Sequence, residues 1–335
     1  TGPNADAIYH QLGDYTPPLR PDAGCTPRQG LARLLENTPV QLTYHQGCPM
    51  FEADPAMRSQ AAAALADSDV ILAVLGGSSS RFAACDFDAN GAAKKQHTVT
   101  MDCGENVDDA LLRLPGEQLE LLRELHATGK PVVAILIGGR PYEMAEIDAL
   151  SDAIFCCFYP GPTGGDALAR LLFGLAEPAG RLSVSLPDHA GQLPVYYNAK
   201  DSYRTVTYYN LTRPRYGFGS GLSYTSFDFA LEKAPQKDEL MLTLRVTNTG
   251  GRPGWAVPQL YIHRTQGVVT SRIRQLCGFE KLYLQPNETR TLTIAIPTES
   301  LMQYDASMHR CTPSGRIEWF LSDSGETKLQ GEFIQ

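Results

Sequence analysis

The first two thirds of the chain alternate short apolar runs with helical patterns. Asp69 to Gly76, Val132 to Ile137 and Ala153 to Phe158 are apolar runs of strand length, which is typical of strands buried on both faces. Between the first two lies Pro115 to Thr128, with a proline at its start and leucines at helical spacing. This order of elements predicts βαβ units, and therefore a three-layer α/β sandwich with a mostly parallel sheet.

Three further segments extend this pattern. Ala56 to Ala66 is rich in alanine and predicts a helix, because alanine is the best helix former. Gly164 to Phe173 is again helical in its spacing, and Val40 to Thr43 is strand-like. We expect the α/β domain to cover residues 1–190.

The pattern changes after about Pro187. Residues 191–225 are rich in tyrosine, proline and glycine and predict a connector, whose tyrosines we expect to pack the connector onto its neighbouring domains. Short alternating segments with turn residues between them follow, and they predict an all-β sandwich over residues 226–335. These segments are Leu240–Asn248, Ala256–His263, Thr289–Ile296, Arg316–Leu321 and Lys328–Ile334.

Composition and charge exclude some partners. The 335 residues carry a net charge of −8, whereas a protein that binds a phosphate backbone needs a basic face. No apolar run approaches the roughly 20 residues that a membrane span requires. We therefore expect neither a nucleic acid nor a membrane as partner.

The eight cysteines form no CxxC pair, and this usage favours a reducing compartment, which we take as the cytoplasm. Cys156 and Cys157 lie in an apolar run and predict buried free thiols. Cys85 and Cys103 flank one loop, and a disulfide between them is the less favoured alternative. No group of histidines, cysteines or acids has metal-ligand spacing, so we expect no metal and no cofactor.

Short motifs then follow one another along the whole chain. They are Gly2-Pro3-Asn4-Ala5-Asp6, Gln11 to Pro18, Leu75 to Ser79, Asp102-Cys103-Gly104-Glu105, Leu114 to Gln118, Gly129 to Val133, Gly139-Arg140-Pro141, Tyr159-Pro160-Gly161, Pro178 to Leu182, Gln192 to Asn198, Phe218 to Thr225 and Gly278 to Lys281. The ordered set resembles the C-terminal half of glycoside hydrolase family 3, a family of β-glucosidases and β-xylosidases. The resemblance implies an α/β sandwich domain followed by a fibronectin type III-like domain.

In that family a (β/α)8 barrel precedes this half, binds the sugar and carries a nucleophilic aspartate. The resemblance places the end of the first α/β strand near Gly2. We therefore expect a fragment, a processed chain or a split subunit, with the barrel on another chain or on a removed segment. The implied substrate is a β-linked glucoside or xyloside, and the implied reaction is retaining hydrolysis of the terminal sugar.

The loop from Gly76 to Pro115 is too long for an ordinary connection between strand and helix. The resemblance implies that Glu105 in this loop is the general acid and then the general base, and that Arg81 and Phe82 contact the substrate. A solvated loop glutamate is the alternative for Glu105, and a surface arginine is the alternative for Arg81. Other acids of the same loop are fallback candidates, namely Asp86, Asp88 and Asp102.

One departure from the family pattern bears on activity. Related sequences often carry Asp-Arg shortly after the glutamate, whereas this chain has Asp108 and Asp109. We therefore expect the loop to lack a cationic partner, and we assign Arg140 a structural position at the end of a buried strand. A non-catalytic carbohydrate-binding or structural half is the main alternative function. A flavodoxin-like nucleotide binder rests on the βαβ pattern alone, and a fold by itself does not give a function.

Overall fold

A computed structural model describes residues 1–17, 19–20, 23–80, 89–90, 101–200 and 213–335. The chain forms two compact units. The first is Thr1–Ala176 with Asp188–Gly191, and the second is Glu177–Pro187 with Gln192–Gln335. The connector expected at residues 191–225 groups almost entirely with the second unit, while the division at residues 190 and 225 stays a prediction.

The first unit contains a three-stranded parallel sheet. Its strands are β1 (Ile71–Gly76), β2 (Val132–Ile137) and β3 (Ala153–Phe158), and β2 lies between the other two. These are the three apolar runs of the sequence, with β1 beginning two residues later than expected. The parallel α/β arrangement is thus confirmed.

Helices cover both faces of this sheet. Val74 and Ile135 share one core cluster with Leu168. Leu75 and Ala134 point to the opposite face, because successive strand residues alternate, and they are fully buried. The helices are α1 (Pro27–Leu35), α2 (Pro55–Leu65), α3 (Gln118–His126), α4 (Met144–Ala149) and α5 (Gly164–Leu172), and a 3-10 helix spans Ile8–Gln11.

Helix α1 was not predicted, although the sequence contains a signal for the start of a helix at this point. Thr26 and Gln29 form a capping box, in which each side chain accepts a hydrogen bond from the backbone N–H of the other, and Pro27 occupies the first helical position. Helix α1 packs closely on α5. A Cβ atom at Gly30 would lie 2.2 Å from the carbonyl oxygen of Gly165, so only glycine allows this approach.

The strand predicted at Val40–Thr43 is wrong. The segment forms no strand, and a groove of about 700 Å³ lies along it, lined also by residues of β1. Beside this groove, Gly2 donates its N–H to Gln46 O (2.9 Å) and Thr1 O accepts from Val74 N–H (2.9 Å). Apolar spacing predicted a strand, but strand pairing requires a neighbour that this stretch does not contact.

The predicted burial of β3 is also wrong. Ala153, Cys156 and Phe158 are exposed and Cys157 is half-buried, although both thiols are free as expected. The reason is topological. Among the described strands β3 pairs only with β2, so it lies at the edge of the sheet with less structure to cover it.

The second unit is a β-sandwich, as predicted. One sheet has the order β10-β5-β4 and the other β14-β13-β7-β8, with two small ribbons, β6-β9 and β11-β12. Side chains of both sheets form one core, in which Trp319 is 1% exposed. The strands are β4 (Phe227–Lys233), β5 (Met241–Asn248), β6 (Gly254–Ala256), β7 (Gln259–Arg264), β8 (Gln275–Phe279), β9 (Leu282–Leu284), β10 (Thr289–Ala295), β11 (Gln303–Tyr304), β12 (Arg310–Cys311), β13 (Arg316–Asp323) and β14 (Glu326–Ile334).

The chain preceding β4 packs against this sandwich. Tyr197 stacks on Phe218 with ring centroids 4.0 Å apart, and both rings meet Tyr261 of β7 edge-on. Glu177 accepts hydrogen bonds from the hydroxyl of Ser223 and from the N–H of Tyr224. Tyr197 therefore packs the connector, as predicted, while residues 201–212 lie outside the described part.

Close packing of α1 on α5 generates a stability prediction. We expect Gly30→Ala to lower the free energy of unfolding of the first unit by about 1–3 kcal/mol, the usual cost of overpacking. The clash with Gly165 O outweighs the roughly 1 kcal/mol that alanine contributes as a helix former. The measurement is thermal or urea unfolding followed by circular dichroism.

Gly191→Ala is the matched control, because a Cβ atom at Gly191 meets no atom within 4 Å. An equal stability of Gly30→Ala and Gly191→Ala would contradict the backbone contact between α1 and α5.

Candidate active site

The candidate site lies where the parallel strands of the first unit end. Because β1, β2 and β3 run in one direction, the loops that follow them meet at one edge of the sheet. The segment 102–109, called the 102–109 turn below, lies against these loops. It begins with a backbone hydrogen bond from Asp102 N–H to Ser78 O (3.0 Å) and contains Glu105.

Asp102 anchors this turn with a buried carboxylate. It is 6% exposed, and its two oxygens accept from Ser78 N–H (2.8 Å) and from the Tyr142 hydroxyl (3.0 Å). Burial, reinforced by the charge of Asp102, raises the pKa of Tyr142 above its ordinary value, so the phenol remains a proton donor. Both oxygens are thus engaged within the protein, which makes Asp102 a structural anchor rather than a free acid.

The glycine after β1 is required by the same contact. A Cβ atom at Gly77 would lie 2.1 Å from both carboxylate oxygens of Asp102. Any other residue at this position would displace the carboxylate from Ser78 N–H. The Gly76-Gly77-Ser78 sequence therefore allows the close approach of the Asp102 side chain.

Glu105 lies at the tip of the 102–109 turn. The turn closes with a hydrogen bond from Val107 N–H to Gly104 O (3.2 Å), and Gly104 has a φ of +138°, which favours glycine. The backbone N–H of Glu105 donates to the Asp14 carboxylate (2.9 Å), while the Glu105 side chain is exposed. The backbone that carries the glutamate is thus held in place, and the residue itself is exposed.

Arg140 follows β2 and reaches across to the 102–109 turn. One terminal nitrogen donates to Asp102 O (3.1 Å) and forms an ion pair with Asp108, and the other donates to Asp109 O (2.8 Å). The expectation that the turn lacks a cationic partner is therefore wrong. The cation comes from the end of a neighbouring strand, 32 positions away from Asp108.

Two further contacts tie the strand ends together. The Asn4 side chain donates to the carbonyl oxygens of Leu75, Gly77 and Ile137 at 3.2–3.3 Å, which links the ends of β1 and β2. The Cys103 sulfur lies 3.3 Å from the Tyr159 hydroxyl. Cys103 is a free thiol, while Cys85 lies outside the described residues.

Of the three predicted site residues, only Glu105 is described. Arg81 and Phe82 lie outside the described residues, as do Asp86 and Asp88. The roles of other residues were missed from sequence, namely Asp14, Tyr142 and Arg140. Asp14 and Arg140 belong to quoted motifs, but their partners are distant in the chain and only the fold brings them together.

Neither metal ligands nor a membrane span can be assigned in the described part of the chain. No group of three or more histidine, cysteine or acidic side chains there is arranged to hold a metal ion. None of the described helices is both long and apolar enough to cross a bilayer.

Comparison with known proteins gives two family matches. Residues 1–224 match the C-terminal domain of glycosyl hydrolase family 3, and residues 256–325 match a fibronectin type III-like domain. The first match covers about two thirds of the chain and includes every residue of the candidate site.

Similar proteins carry the names of glycosidases. The chain is 33% identical over 294 residues to a periplasmic β-glucosidase of Salmonella typhimurium, covering 83% of this chain and 36% of that protein. It is 31% identical over 275 residues to a β-xylosidase of Formosa agariphila, covering 78% of this chain and 35% of that protein. A solved β-glucosidase from Erythrobacter marinus matches with a TM-score of 0.84 and 32% identity, over 99% of this chain and 45% of that one. The chain thus spans less than half the length of these relatives.

The ion pair between Asp108 and Arg140 generates a pH prediction. The N–H of Asp109, followed by the hydrogen bond and charge of Arg140, lowers the pKa of Asp108 below 3.8. A carboxylate with a lowered pKa contributes stability above its unfolded value and loses it as the pH falls through the lowered pKa. We therefore expect the pair to persist at pH 4 and to open only in stronger acid.

The measurement is an NMR titration of the Asp108 carboxyl carbon. Arg140→Gln should move the midpoint upward, although not fully to 3.8, because Asp109 N–H still donates to Asp108. Arg123→Gln, which removes ion pairs with Glu120 and Glu146 on the same unit, should leave the midpoint unchanged. An identical midpoint in the wild-type protein and Arg140→Gln would contradict the assigned contact.

Proposed function

Because the chain belongs to glycoside hydrolase family 3, we propose that it supplies the acid/base half of a retaining β-glycosidase. The proposed substrates are terminal β-linked glucosides or xylosides, since the relatives are named β-glucosidase and β-xylosidase. One observation carries the proposal. Glu105 is an exposed residue of a turn whose backbone is held by hydrogen bonds of Asp14, Asp102 and Arg140. A non-catalytic half is not favoured, because the matched relatives are hydrolases.

The proposed reaction has two steps. First, a carboxylate of the partner barrel attacks the anomeric carbon, and Glu105 donates its proton to the glycosidic oxygen. The bond between the anomeric carbon and the glycosidic oxygen breaks in this step. Then the Glu105 carboxylate takes a proton from a water molecule, whose oxygen attacks the anomeric carbon and releases the first carboxylate. Enclosure of Glu105 by the partner would desolvate it and raise its pKa, as an acid catalyst requires.

The proposed partner is a (β/α)8 barrel that carries the nucleophile, either on another chain or on a removed segment. The groove beside β1 supports a polypeptide partner, because the apolar side chains of Val40, Leu42 and Val70 are exposed along it. Arg81 and Phe82 are proposed to contact the bound sugar.

For the compartment we keep the prediction of the cytoplasm. It rests on the cysteines, which are free thiols at all seven positions in the described residues. One relative is named periplasmic, so the test is fractionation of the native cells. Recovery of the protein with periplasmic markers would overturn this prediction.

The two-carboxylate reaction generates a first activity prediction. We expect the purified 335-residue chain to show no turnover of an aryl β-glucoside or β-xyloside, because Glu105 alone offers no nucleophile. Addition of a family 3 barrel polypeptide should restore activity. Turnover by the pure chain would contradict the division of the two carboxylates between polypeptides.

The role of Glu105 is tested in the assembled enzyme. Glu105→Gln should lower kcat/KM for a disaccharide by about 10²–10⁴-fold, the usual contribution of a general acid. It should lower kcat/KM for a dinitrophenyl glycoside less than about tenfold, because this leaving group needs no protonation.

Glu52→Gln is the matched control, since Glu52 is another exposed glutamate of the first unit. If Glu105→Gln behaved like Glu52→Gln on the disaccharide, Glu105 would not be the acid.

A further inference from the structure

We propose that Arg140 is the positioning residue for Glu105. It binds both ends of the 102–109 turn and so keeps the backbone of the glutamate in a fixed position relative to the strand ends. This inference rests on the proposed function for its catalytic consequence. Its structural part depends only on the contacts of this chain.

The contacts of Arg140 bracket Glu105. Asp102 O lies three residues before the glutamate and Asp109 O lies four residues after it, and Arg140 donates to both, at 3.1 and 2.8 Å. A single guanidinium therefore ties the start of the turn to its end.

The carbonyl bonds matter more than the visible ion pair. Asp108 is 87% exposed, and an ion pair with so exposed a carboxylate contributes little to stability. The Arg140 side chain is 11% exposed and Asp102 is 6% exposed, so the charged hydrogen bond to Asp102 O is shielded from water, and the bond to Asp109 O extends the connection to the exposed end of the turn. We assign the positioning role to the hydrogen bonds with the two carbonyl oxygens, and the ion pair with Asp108 makes a smaller contribution.

The planar guanidinium is suited to this task. Its nitrogens donate in fixed directions, so two carbonyl groups and a carboxylate are held in one geometry. A lysine at position 140 would keep the charge, but a single nitrogen could not span all three acceptors. Lysine should therefore rescue only part of the function, which a role of charge alone would not predict.

Arg140 is itself fixed by the sheet. It follows β2, the central strand, after Gly138 and Gly139. Gly138 N–H donates to Phe158 O (2.9 Å), and Gly77 N–H donates to Ile137 O (2.9 Å), so the end of β2 is held from both neighbouring strands. Because Arg140 follows the buried strand β2 and binds the exposed turn, the turn is held in a defined position relative to β2.

Placement of this kind has kinetic consequences. Misplacement of a catalytic group by about 1 Å can lower a rate about 100-fold. Asp14 holds the Glu105 backbone N–H as a second anchor, so loss of Arg140 should loosen the turn without releasing it.

The first experiment uses the 335-residue chain without a barrel polypeptide. Amide hydrogen exchange is measured by NMR for Glu105, Val107 and, as a probe of global stability, Ile135. We expect Arg140→Gln to speed exchange at Glu105 and Val107 about tenfold or more, Arg140→Lys to have an intermediate effect, and Ile135 to stay unchanged. Arg123→Gln is the control, because Arg123 also binds two acids on this unit but lies on α3. Unchanged exchange in the 102–109 turn of Arg140→Gln would overturn the proposal.

The second experiment uses the chain assembled with a barrel polypeptide. Arg140→Gln should lower kcat/KM for a disaccharide about 10–100-fold and for a dinitrophenyl glycoside less than about threefold, with partial recovery in Arg140→Lys. Equal losses on both substrates would overturn a role through the acid.

The Glu105→Gln variant distinguishes failure of the assigned acid from failure of the positioning role of Arg140. If Glu105→Gln is impaired while Arg140→Gln is not, only the role of Arg140 fails. If Glu105→Gln is fully active on the disaccharide, the assignment of the acid fails, whatever the exchange data show.

Discussion

The buried carboxylate of Asp102 is the interaction on which the candidate site depends. It brings the far end of a long loop back to the end of β1, where it accepts from Ser78 N–H and the Tyr142 hydroxyl. A buried polar group is costly unless its hydrogen-bond partners remain in place, and removal of one such partner usually costs about 1–3 kcal/mol. Gly77 is compatible with this arrangement because it has no Cβ, and Tyr142 because its phenol stays protonated.

The rest of the site builds outward from this anchor. Arg140 donates hydrogen bonds to the backbone carbonyls of Asp102 and Asp109 and forms an ion pair with Asp108. A buried acid, Asp102, and a largely buried cation, Arg140, therefore hold the surface turn. The result is a rigid support below an accessible Glu105. Such a carboxyl group is suited to a partner that brings both the sugar and the nucleophile. This chain covers less than half the length of its relatives, and in the proposed function the nucleophile comes from a barrel outside these 335 residues.

Much of the fold was predictable, because apolar runs of strand length predicted β1, β2 and β3 with errors of at most two residues. The strand expected at Val40–Thr43 failed because pairing depends on a neighbour that spacing cannot show, and the burial of β3 failed because its edge position is a property of the whole sheet. The resemblance to a family, not the pattern, singled out Glu105. The contact between Arg140 and Asp108 could not be predicted, since it joins residues 32 positions apart that meet only where parallel strands end.

The most direct test is a structure of the chain assembled with a family 3 barrel polypeptide and a bound substrate analogue. The decisive quantity is the distance between the Glu105 carboxyl group and the nucleophilic carboxylate of the barrel. We expect about 5–5.5 Å, the separation that retaining hydrolysis requires, with Glu105 facing the glycosidic oxygen. A Glu105 carboxyl group that faces solvent far from the nucleophile, with another acid at that distance, would contradict the assignment of this chain as the acid/base half.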